Sequence, residues 1–210
     1  MSDELSSAAR AAVEAIQAGR PVVLPTDTVY GLCASPDTEE PARRVYRLKG
    51  RPESTPSALV CSDLETLFEC VPELRGRAET LARVLLPGPY TLVLPNPARR
   101  YRWLTGSSPE TIGVRVPLLH GDVARVLERV GAVMATSANL ADGPEPRRPE
   151  DVPAEIREAC AVFLDGGELP GTPSTVIDLT TGEPRILREG AVPAADALAQ
   201  LDEALSRVCG

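Results

Sequence analysis

Basic side chains are concentrated in one short stretch of the sequence, "RVYRLKGRPE" at positions 44–53. This stretch is unusual because the formal net charge of the chain is −8 at pH 7. Lys49 and Arg51 flank Gly50 at or beyond the end of a predicted helix, where an ammonium and a guanidinium group can bind a chain of phosphates. Such cations can equally do no more than complement the helix dipole, with Gly50 as the residue that ends the helix. The local pattern leaves both interpretations open.

Small polar residues follow two of the predicted strands. "PTDTVYG" comes after the strand at 22–24, and "TSAN" comes after the strand at 132–135. Ligands in open α/β sheets bind where strands end and loops begin, although Thr and Ser there often only form turns. A third strand, "GVRVP", carries Arg115 among valines. This pattern predicts a guanidinium that either reaches water along its stem or pairs with a carboxylate.

Several common catalytic patterns are absent from the sequence. It has no G-x-x-x-x-G-K-[ST] phosphate loop, no G-x-G-x-x-G fingerprint and no evident carboxylate pair for acid–base chemistry. His120 is the one histidine, which argues against a histidine-based metal centre, and we expect it in a turn before a helix. No C-x-x-C pair occurs, so we expect core cysteines rather than a zinc site or a disulfide framework; the cysteines are Cys33, Cys61, Cys70, Cys160 and Cys209. The residues alone therefore predict a polyanion pocket lined by Lys49 and Arg51, with no metal held by protein ligands.

The overall charge limits the class of partner. General nucleic-acid binders are basic over a whole face, because neutralised phosphates supply most of the non-specific affinity. An acidic chain with a local anion pocket suits a small polyphosphate better than a long duplex. No apolar run approaches the roughly 18 residues that cross a bilayer, and the start "MSDELSSAAR" is too polar for a signal peptide. We therefore expect a soluble, cytoplasmic protein that does not contact membranes.

The elements that must position these residues alternate between helix and strand. Apolar residues from Leu5 to Ile16 follow helical spacing, Gly19 ends this first helix, and Thr38 is the predicted cap of the second, "TEEPARRVYRL". Further helices are predicted at 63–70, 73–86, 121–130, 150–159 and 193–207, and strands at 21–25, 57–61, 91–95, 111–117, 132–137, 161–165 and 174–179. The pattern predicts one α/β domain over 1–210, in which helices flank an open, twisted, partly parallel sheet.

An ordered set of segments resembles a known family. "LPTDTVYGL", "RLKGRP", "LPGPYTLVLP", "TIGVRVP", "ATSAN", "PSTVIDL" and "ILREG" follow one another at compatible spacings. Each segment is common alone, but together, from about residue 8 to residue 190, they resemble the YrdC-domain family of threonylcarbamoyl-AMP synthases. In that family a K-x-R motif and an S-x-N motif line a concave, positively charged cleft. Here these motifs are Lys49-Gly50-Arg51 and Ser137-Ala138-Asn139.

The resemblance implies a reaction that joins L-threonine, bicarbonate or carbon dioxide, and ATP. The amine of threonine is carboxylated, and the carbamate oxygen attacks the α-phosphate to give threonylcarbamoyl-AMP and pyrophosphate. A partner complex then transfers the threonylcarbamoyl group to an adenosine beside the anticodon of certain tRNAs. The first step requires alignment and charge neutralisation more than acid–base catalysis, which is compatible with the missing catalytic patterns. Mg²⁺ is expected to bind through the ATP phosphates.

The resemblance also assigns roles to individual residues. Lys49 and Arg51 are expected to be catalytic and to face solvent, where they neutralise the triphosphate. The other expected ATP-binding residues are Thr111, Ser137, Asn139, Glu145 and Arg188. The expected threonine-binding residues are Thr26, Tyr30, Arg115, Ala135 and Ser174, with Arg115 on the carboxylate of threonine.

Two departures from the family pattern bear on the expected activity. Many members carry a histidine shortly after K-x-R, and Val60 takes that place here. The chain also ends near 210, which indicates the short form without the extra C-terminal domain of longer members, and "RWLTG" at 102–106 is typical of that form. Two alternatives remain: a non-catalytic module that contacts RNA at the cleft, and a paralogue that forms a carbamoyl-adenylate without threonine.

Overall fold

A computed structural model of the protein describes residues 5–208; residues 1–4 of the acidic start and Cys209 lie outside the described residues. Nine strands in this part of the chain form one sheet: β1 (Val22–Pro25), β2 (Tyr30–Ala34), β3 (Ala58–Cys61), β4 (Tyr90–Pro95), β5 (Thr111–Arg115), β6 (Ala132–Ser137), β7 (Val162–Phe163), β8 (Thr175–Asp178) and β9 (Arg185–Arg188). Their order across the sheet is β7-β1-β2-β6-β3-β5-β4-β8-β9. The sheet is mixed: β1–β7, β3–β5 and β4–β8 pair in parallel, and the other neighbours are antiparallel. The prediction of an α/β fold with a partly parallel sheet is confirmed.

Seven helices of the described chain flank this sheet. They are α1 (Ser7–Gln17), α2 (Glu39–Lys49), α3 (Leu64–Cys70), α4 (Arg77–Leu85), α5 (Gly121–Val130), α6 (Ala154–Ala159) and α7 (Ala194–Val208). Short 3-10 turns span Arg102–Leu104 and Pro149–Asp151. Among residues 5–208, no helix combines the length and apolar character needed to cross a bilayer.

The helices divide the core into two layers. The larger cluster packs one face of the sheet against α2, α3, α4, α6 and α7. The smaller cluster packs α1 and α5 against the other face, where Ala12 and Ile16 of α1 and Val126 of α5 are almost fully buried. Because α1 and α5 cover only part of this second face, a region of the sheet is left open to form a cleft.

The end of α2 depends on the glycine that separates Lys49 from Arg51. Gly50 adopts a left-handed conformation with φ of 68°. This conformation favours glycine and reverses the chain, so that the N–H of Arg51 donates to the carbonyl of Tyr46 at 2.9 Å. At the other end of α2, Thr38 has the extended backbone of a cap residue, but its side chain makes no capping hydrogen bond, which differs from the prediction.

The structure contains two strands that the sequence did not predict, β2 and β9. Strands and helices therefore do not alternate throughout, since β1–β2 and β8–β9 are antiparallel pairs with no helix between them. The segment "PTDTVYG" comprises the last residue of β1, the 26–29 loop and the start of β2. Helix 73–86 begins only at Arg77, and the predicted 150–159 helix is split between a 3-10 turn and α6. Cys33 and Cys61 are buried, whereas Cys70 and Cys160 are half-buried, and all four are free.

Candidate active site

A cleft of about 900 Å³ lies over the open region of the sheet. Its floor is made of residues that alternate toward this face of the strands, among them Gly31, Ala58, Val60, Thr91, Gly113, Arg115, Ala135 and Ser137. Among residues 5–208, four basic and three acidic residues line it: Lys49, Arg51, Arg115 and Arg188, and Asp142, Glu145 and Asp178. Eleven of the twelve predicted site residues line the cleft, and Tyr30 does not.

Lys49 connects the end of α2 to the loop that follows β6. Its Nζ donates to the carbonyl oxygens of Ser137 at 2.7 Å and Asn139 at 2.8 Å, and to Oδ1 of Asn139 at 2.5 Å. The hydroxyl of Ser137 donates to the same Oδ1 at 2.6 Å, and Nδ2 of Asn139 donates to the carbonyl of Gly143 at 2.6 Å. The K-x-R and S-x-N motifs therefore form one hydrogen-bonded unit.

The prediction that the Lys49 side chain faces solvent is wrong. Lys49 is only 4% exposed, because its ammonium group points at the S-x-N loop rather than into water. Burial, together with the charge of Arg51, lowers the pKa of Lys49 to about 8, and the charge of Glu145 opposes both effects. The hydrogen bonds of the Lys49 ammonium group therefore stabilise its charged form and offset the free-energy cost of burying it.

Arg51 lies beside this unit and is less buried. Its Nη1 donates to Oγ1 of Thr136 at 2.8 Å, and its Nη2 donates to the carbonyl of Pro56 at 2.8 Å. Burial is the main cause that lowers the pKa of Arg51, although the group stays ionised. Arg51 thus presents a fixed positive charge at the wall of the cleft.

Arg115 pairs with a carboxylate, one of the two outcomes expected from its valine neighbours. Nη2 of Arg115 donates to Oδ1 of Asp27 at 2.8 Å and to Oγ1 of Thr28 at 3.2 Å. The hydroxyl of Thr26 lies 3.0 Å from that of Thr28 and donates to the carbonyl of Val29 at 2.7 Å. Thr26 and Arg115, two predicted threonine-binding residues, are therefore joined through Thr28.

Ser174 and Arg188 meet at the opposite side of the cleft from α1 and α5. Arg188 of β9 reaches back across β8, and its Nη2 donates to the carbonyl of Ser174 at 2.8 Å. The hydroxyl of Ser174 lies 2.7 Å from that of Thr91 on β4. Thr111, which begins β5, donates its hydroxyl to the carbonyl of Ser108 at 3.2 Å. These contacts position polar groups from four strand segments toward one cavity.

Tyr30 is the one predicted site residue that the structure removes from the cleft. In β2, side chains alternate between the two faces of the sheet, so that Gly31 lines the cleft and Tyr30 enters the opposite core. The hydroxyl of Tyr30 donates to the carbonyl of Gly167 at 2.8 Å and accepts the N–H of Gly166 at 3.0 Å. Tyr30 therefore anchors a loop and is not placed to contact a ligand in the cleft.

Glu145 contributes a carboxylate to the cleft wall. Its Oε2 is buried and has no hydrogen-bond partner among the described residues. Its negative charge acts on both Lys49 and Arg51, whose pKa values it raises against the effect of burial. Within 5–208, no group of three or more His, Cys, Asp or Glu side chains could hold a metal ion.

The sequence reasoning missed Asp27 and Thr28. Both occur in the quoted segment "PTDT", but only Thr26 was assigned a role in it. The sequence signal that could have indicated a role for Asp27 was the combination of an arginine among valines in one strand with a carboxylate in the loop before another strand, β2. Without knowledge of β2, nothing fixed the distance between Asp27 and Arg115.

Comparison with known proteins identifies the family. The family model Sua5_yciO_yrdC, described as "Telomere recombination", matches residues 14–190. The chain belongs to the Sua5–YciO–YrdC family. A curated member, "Threonylcarbamoyl-AMP synthase" of Pyrococcus abyssi, is 37% identical over 186 residues, which cover 88% of this chain and 54% of that protein. The chain thus spans about half the length of this relative.

Solved structures of family members have the same fold. Pyrococcus abyssi Sua5 complexed with L-threonine superposes with a TM-score of 0.83 at 35% identity, over 91% of this chain and 56% of that one. Escherichia coli YciO superposes with a TM-score of 0.79 at 29% identity, over 90% of this chain and 92% of that one. In this member of the Sua5–YciO–YrdC family, Val60 lies on the floor of the cleft beside Arg115 in the pairing of β3 with β5.

Proposed function

We propose that this chain synthesises L-threonylcarbamoyl-AMP from L-threonine, bicarbonate or carbon dioxide, and ATP. The observation that carries the proposal is the direct hydrogen bonding between K-x-R and S-x-N at a cleft that also contains Arg115 and Ser174. The name of the Pyrococcus abyssi relative and the threonine in its solved structure support the same substrate for this chain.

The reaction consists of one carboxylation and one displacement. The amine of threonine attacks the carbon of carbon dioxide and loses a proton, which gives a carbamate. A carbamate oxygen then attacks the α-phosphorus of ATP, the bond between the α-phosphorus and the bridging oxygen breaks, and pyrophosphate leaves. Negative charge accumulates on the leaving group, so fixed cations are the main contribution that a protein can make.

The residues of the cleft fit these requirements. In our proposal Arg51 and Lys49 stabilise the triphosphate, and Lys49 exchanges one of its protein hydrogen bonds for a phosphate oxygen. Thr111, Ser137, Asn139 and Arg188 complete the ATP site, with Glu145 nearby. Thr26, Arg115, Ala135 and Ser174 form the threonine site, where the guanidinium of Arg115 binds the carboxylate.

Mg²⁺ fits this site mainly as a partner of ATP. Mg²⁺ is usually held by one or two carboxylates together with substrate phosphates and waters. The described residues offer no dedicated cluster of three ligands. We propose that the ion enters with ATP and neutralises part of the phosphate charge.

The product implies further partners. Threonylcarbamoyl-AMP would be consumed by a transferase complex that modifies tRNA, which places the activity in the cytoplasm under this proposal. We also propose that the catalytic core extends over about 8–190 of one domain that spans 1–210, with α7 packed against α4.

The proposal is tested by pyrophosphate release from ATP and Mg²⁺, with threonine and bicarbonate omitted in turn. Release that requires both supports the synthase. Release without threonine would indicate the carbamoyl-adenylate paralogue. No release, together with tight RNA binding, would replace the synthase by the RNA-binding module.

A further inference from the structure

Asp27 connects the 26–29 loop to the end of β5. Its side chain is only 10% exposed. Oδ1 accepts a hydrogen bond from Nη2 of Arg115 at 2.8 Å, and Oδ2 accepts one from the backbone N–H of Leu118 at 3.1 Å. One carboxylate therefore holds both the guanidinium and the chain that follows it.

The contacts of Arg115 are concentrated at one nitrogen. Nη2 donates to Asp27 and also to Oγ1 of Thr28 at 3.2 Å. Nε is buried and has no hydrogen-bond partner among the described residues. A buried N–H without a partner is costly unless a ligand satisfies it. The guanidinium, which lines the cleft, is fixed by the protein at Nη2, whereas Nη1 makes no hydrogen bond to the described residues and can donate to a ligand.

The charges around Arg115 favour the binding of one more anion. Asp27 and Arg115 neutralise each other, and burial raises the pKa of Asp27 while the charge of Arg115 opposes that rise. Burial lowers the pKa of Arg115, and the nearby charge of Arg188 lowers it further. Arg188 therefore supplies a second positive charge that a bound carboxylate would balance.

We propose that Asp27 is a positioning residue that fixes the guanidinium of Arg115 so that its Nη1 group, which makes no hydrogen bond to the described residues, can bind the carboxylate of the amino-acid substrate. The inference rests on the proposed function, in which Arg115 binds threonine. The hydrogen bonds that Nη2 donates to Asp27 and Thr28 restrict the rotation of the guanidinium plane. Such restriction matters because a displacement of about 1 Å in a substrate-positioning group can reduce the rate by about 100-fold.

The experiment compares the unmodified chain with Asp27→Asn, which keeps the shape but removes the charge. Pyrophosphate release is measured with L-threonine and with L-threonine amide, which has no carboxylate. We expect the KM for threonine to rise about tenfold in Asp27→Asn, as for other supporting residues behind a binding group. The KM for ATP and the activity with threonine amide should stay within about twofold of the unmodified chain, because neither depends on the carboxylate contact.

Asp63→Asn is the matched control, because Asp63 caps α3 away from the cleft and asparagine caps a helix equally well. It should leave all these values unchanged. An equal loss with threonine and threonine amide, or an equal rise in the KM for ATP, would show a structural role and overturn the inference. An unchanged KM for threonine in Asp27→Asn would also overturn the inference. A lower KM would overturn it as well, because Asp27 would then compete with the substrate for Arg115. If the unmodified chain needs no threonine for release, the proposed function itself fails.

Discussion

Lys49 makes the direct hydrogen bonds between the K-x-R and S-x-N motifs of the cleft. Its ammonium group fills its three donor positions with oxygens of the Ser137–Asn139 segment, and it is almost fully buried. Arg51, two residues further on, is half-exposed and donates to Thr136 and Pro56. Although both belong to one motif, we expect their replacement to have different consequences.

Lys49→Ala should weaken both ATP binding and the fold, whereas Arg51→Ala should weaken only ATP binding. Removing the ammonium group takes away the hydrogen bonds that it donates to the carbonyl oxygens of Ser137 and Asn139, which costs about 1–3 kcal/mol in the free energy of unfolding. Urea denaturation and ATP titration of both variants check this difference. Equal stability of Lys49→Ala and the unmodified chain would contradict the structural role of Lys49.

The affinity for ATP should also depend on pH through Lys49. The pKa of this group is lowered to about 8, so raising the pH through that value removes its positive charge from the free protein. The phosphates of ATP bind the charged form better, so the Kd for ATP should rise above about pH 8. Titration of ATP without threonine at several pH values measures this rise. The Lys49→Met variant should bind ATP weakly at every pH. If its Kd for ATP rose with pH in the same way as in the unmodified chain, Lys49 would be excluded as the cause of the rise.

At the scale of elements, the segment after β9 sets the position of Ser174. Gly190 packs directly on the backbone of the 173–174 segment: a Cβ at position 190 would lie 2.6 Å from the carbonyl carbon of Ser174. The N–H of Ala191 donates to the carbonyl of Pro173 at 2.8 Å. The wall of the cleft is therefore held by close backbone approach at this point, and not by Arg188 alone.

Gly190→Ala should displace the 173–174 segment and reduce activity. The overlap involves backbone atoms that cannot move aside cheaply, so a loss of about 1–3 kcal/mol in stability should accompany a higher KM for threonine. Gly182→Ala is the control in the same hairpin, since a Cβ there would meet nothing within 4 Å. Thermal unfolding and pyrophosphate release of the pair provide the measurement. Similar values for the two variants would contradict the role of this contact.

Part of the fold could be predicted from the sequence because periodicity and caps determine local structure. The strands at 57–61, 91–95 and 132–137 match β3, β4 and β6 closely. The sequence did not predict β2 and β9, because β2 is buried on both faces with no alternation and β9 is a four-residue edge strand. Without β2, the face to which Tyr30 points could not be known.

Part of the candidate site could also be predicted from the sequence. The order of the motifs identified which residues belong together, and eleven of the twelve line one cleft. The order of the motifs did not indicate that Lys49 is buried, because burial depends on how the loop after β6 folds back over the end of α2. The Asp27–Arg115 pair also depends on long-range packing, since 88 positions separate its members.

At the scale of the whole molecule, charge separates the proposed enzyme from an RNA-binding module. The chain carries a net charge of −8, and the cleft itself contains four basic and three acidic residues. This excess of one positive charge suits ATP with Mg²⁺ better than a long polyanion.

We therefore expect tRNA alone to bind weakly at physiological salt. Non-specific binders reach Kd values of about 10⁻⁴–10⁻⁶ M under these conditions, and this acidic chain should lie at or beyond the weak end. Fluorescence anisotropy with labelled tRNA at several salt concentrations provides the test. Tight binding that falls steeply with salt would favour the RNA-binding module.

The proposed synthesis of L-threonylcarbamoyl-AMP is tested most directly by identifying the product itself. The chain is incubated with ATP, Mg²⁺, L-threonine and ¹³C-bicarbonate, and the nucleotide products are separated and analysed by mass spectrometry. The proposed synthesis predicts an adenylate that contains both threonine and the labelled carbon, and that disappears when either is omitted. A labelled adenylate without threonine, or no adenylate beyond AMP itself, would contradict it.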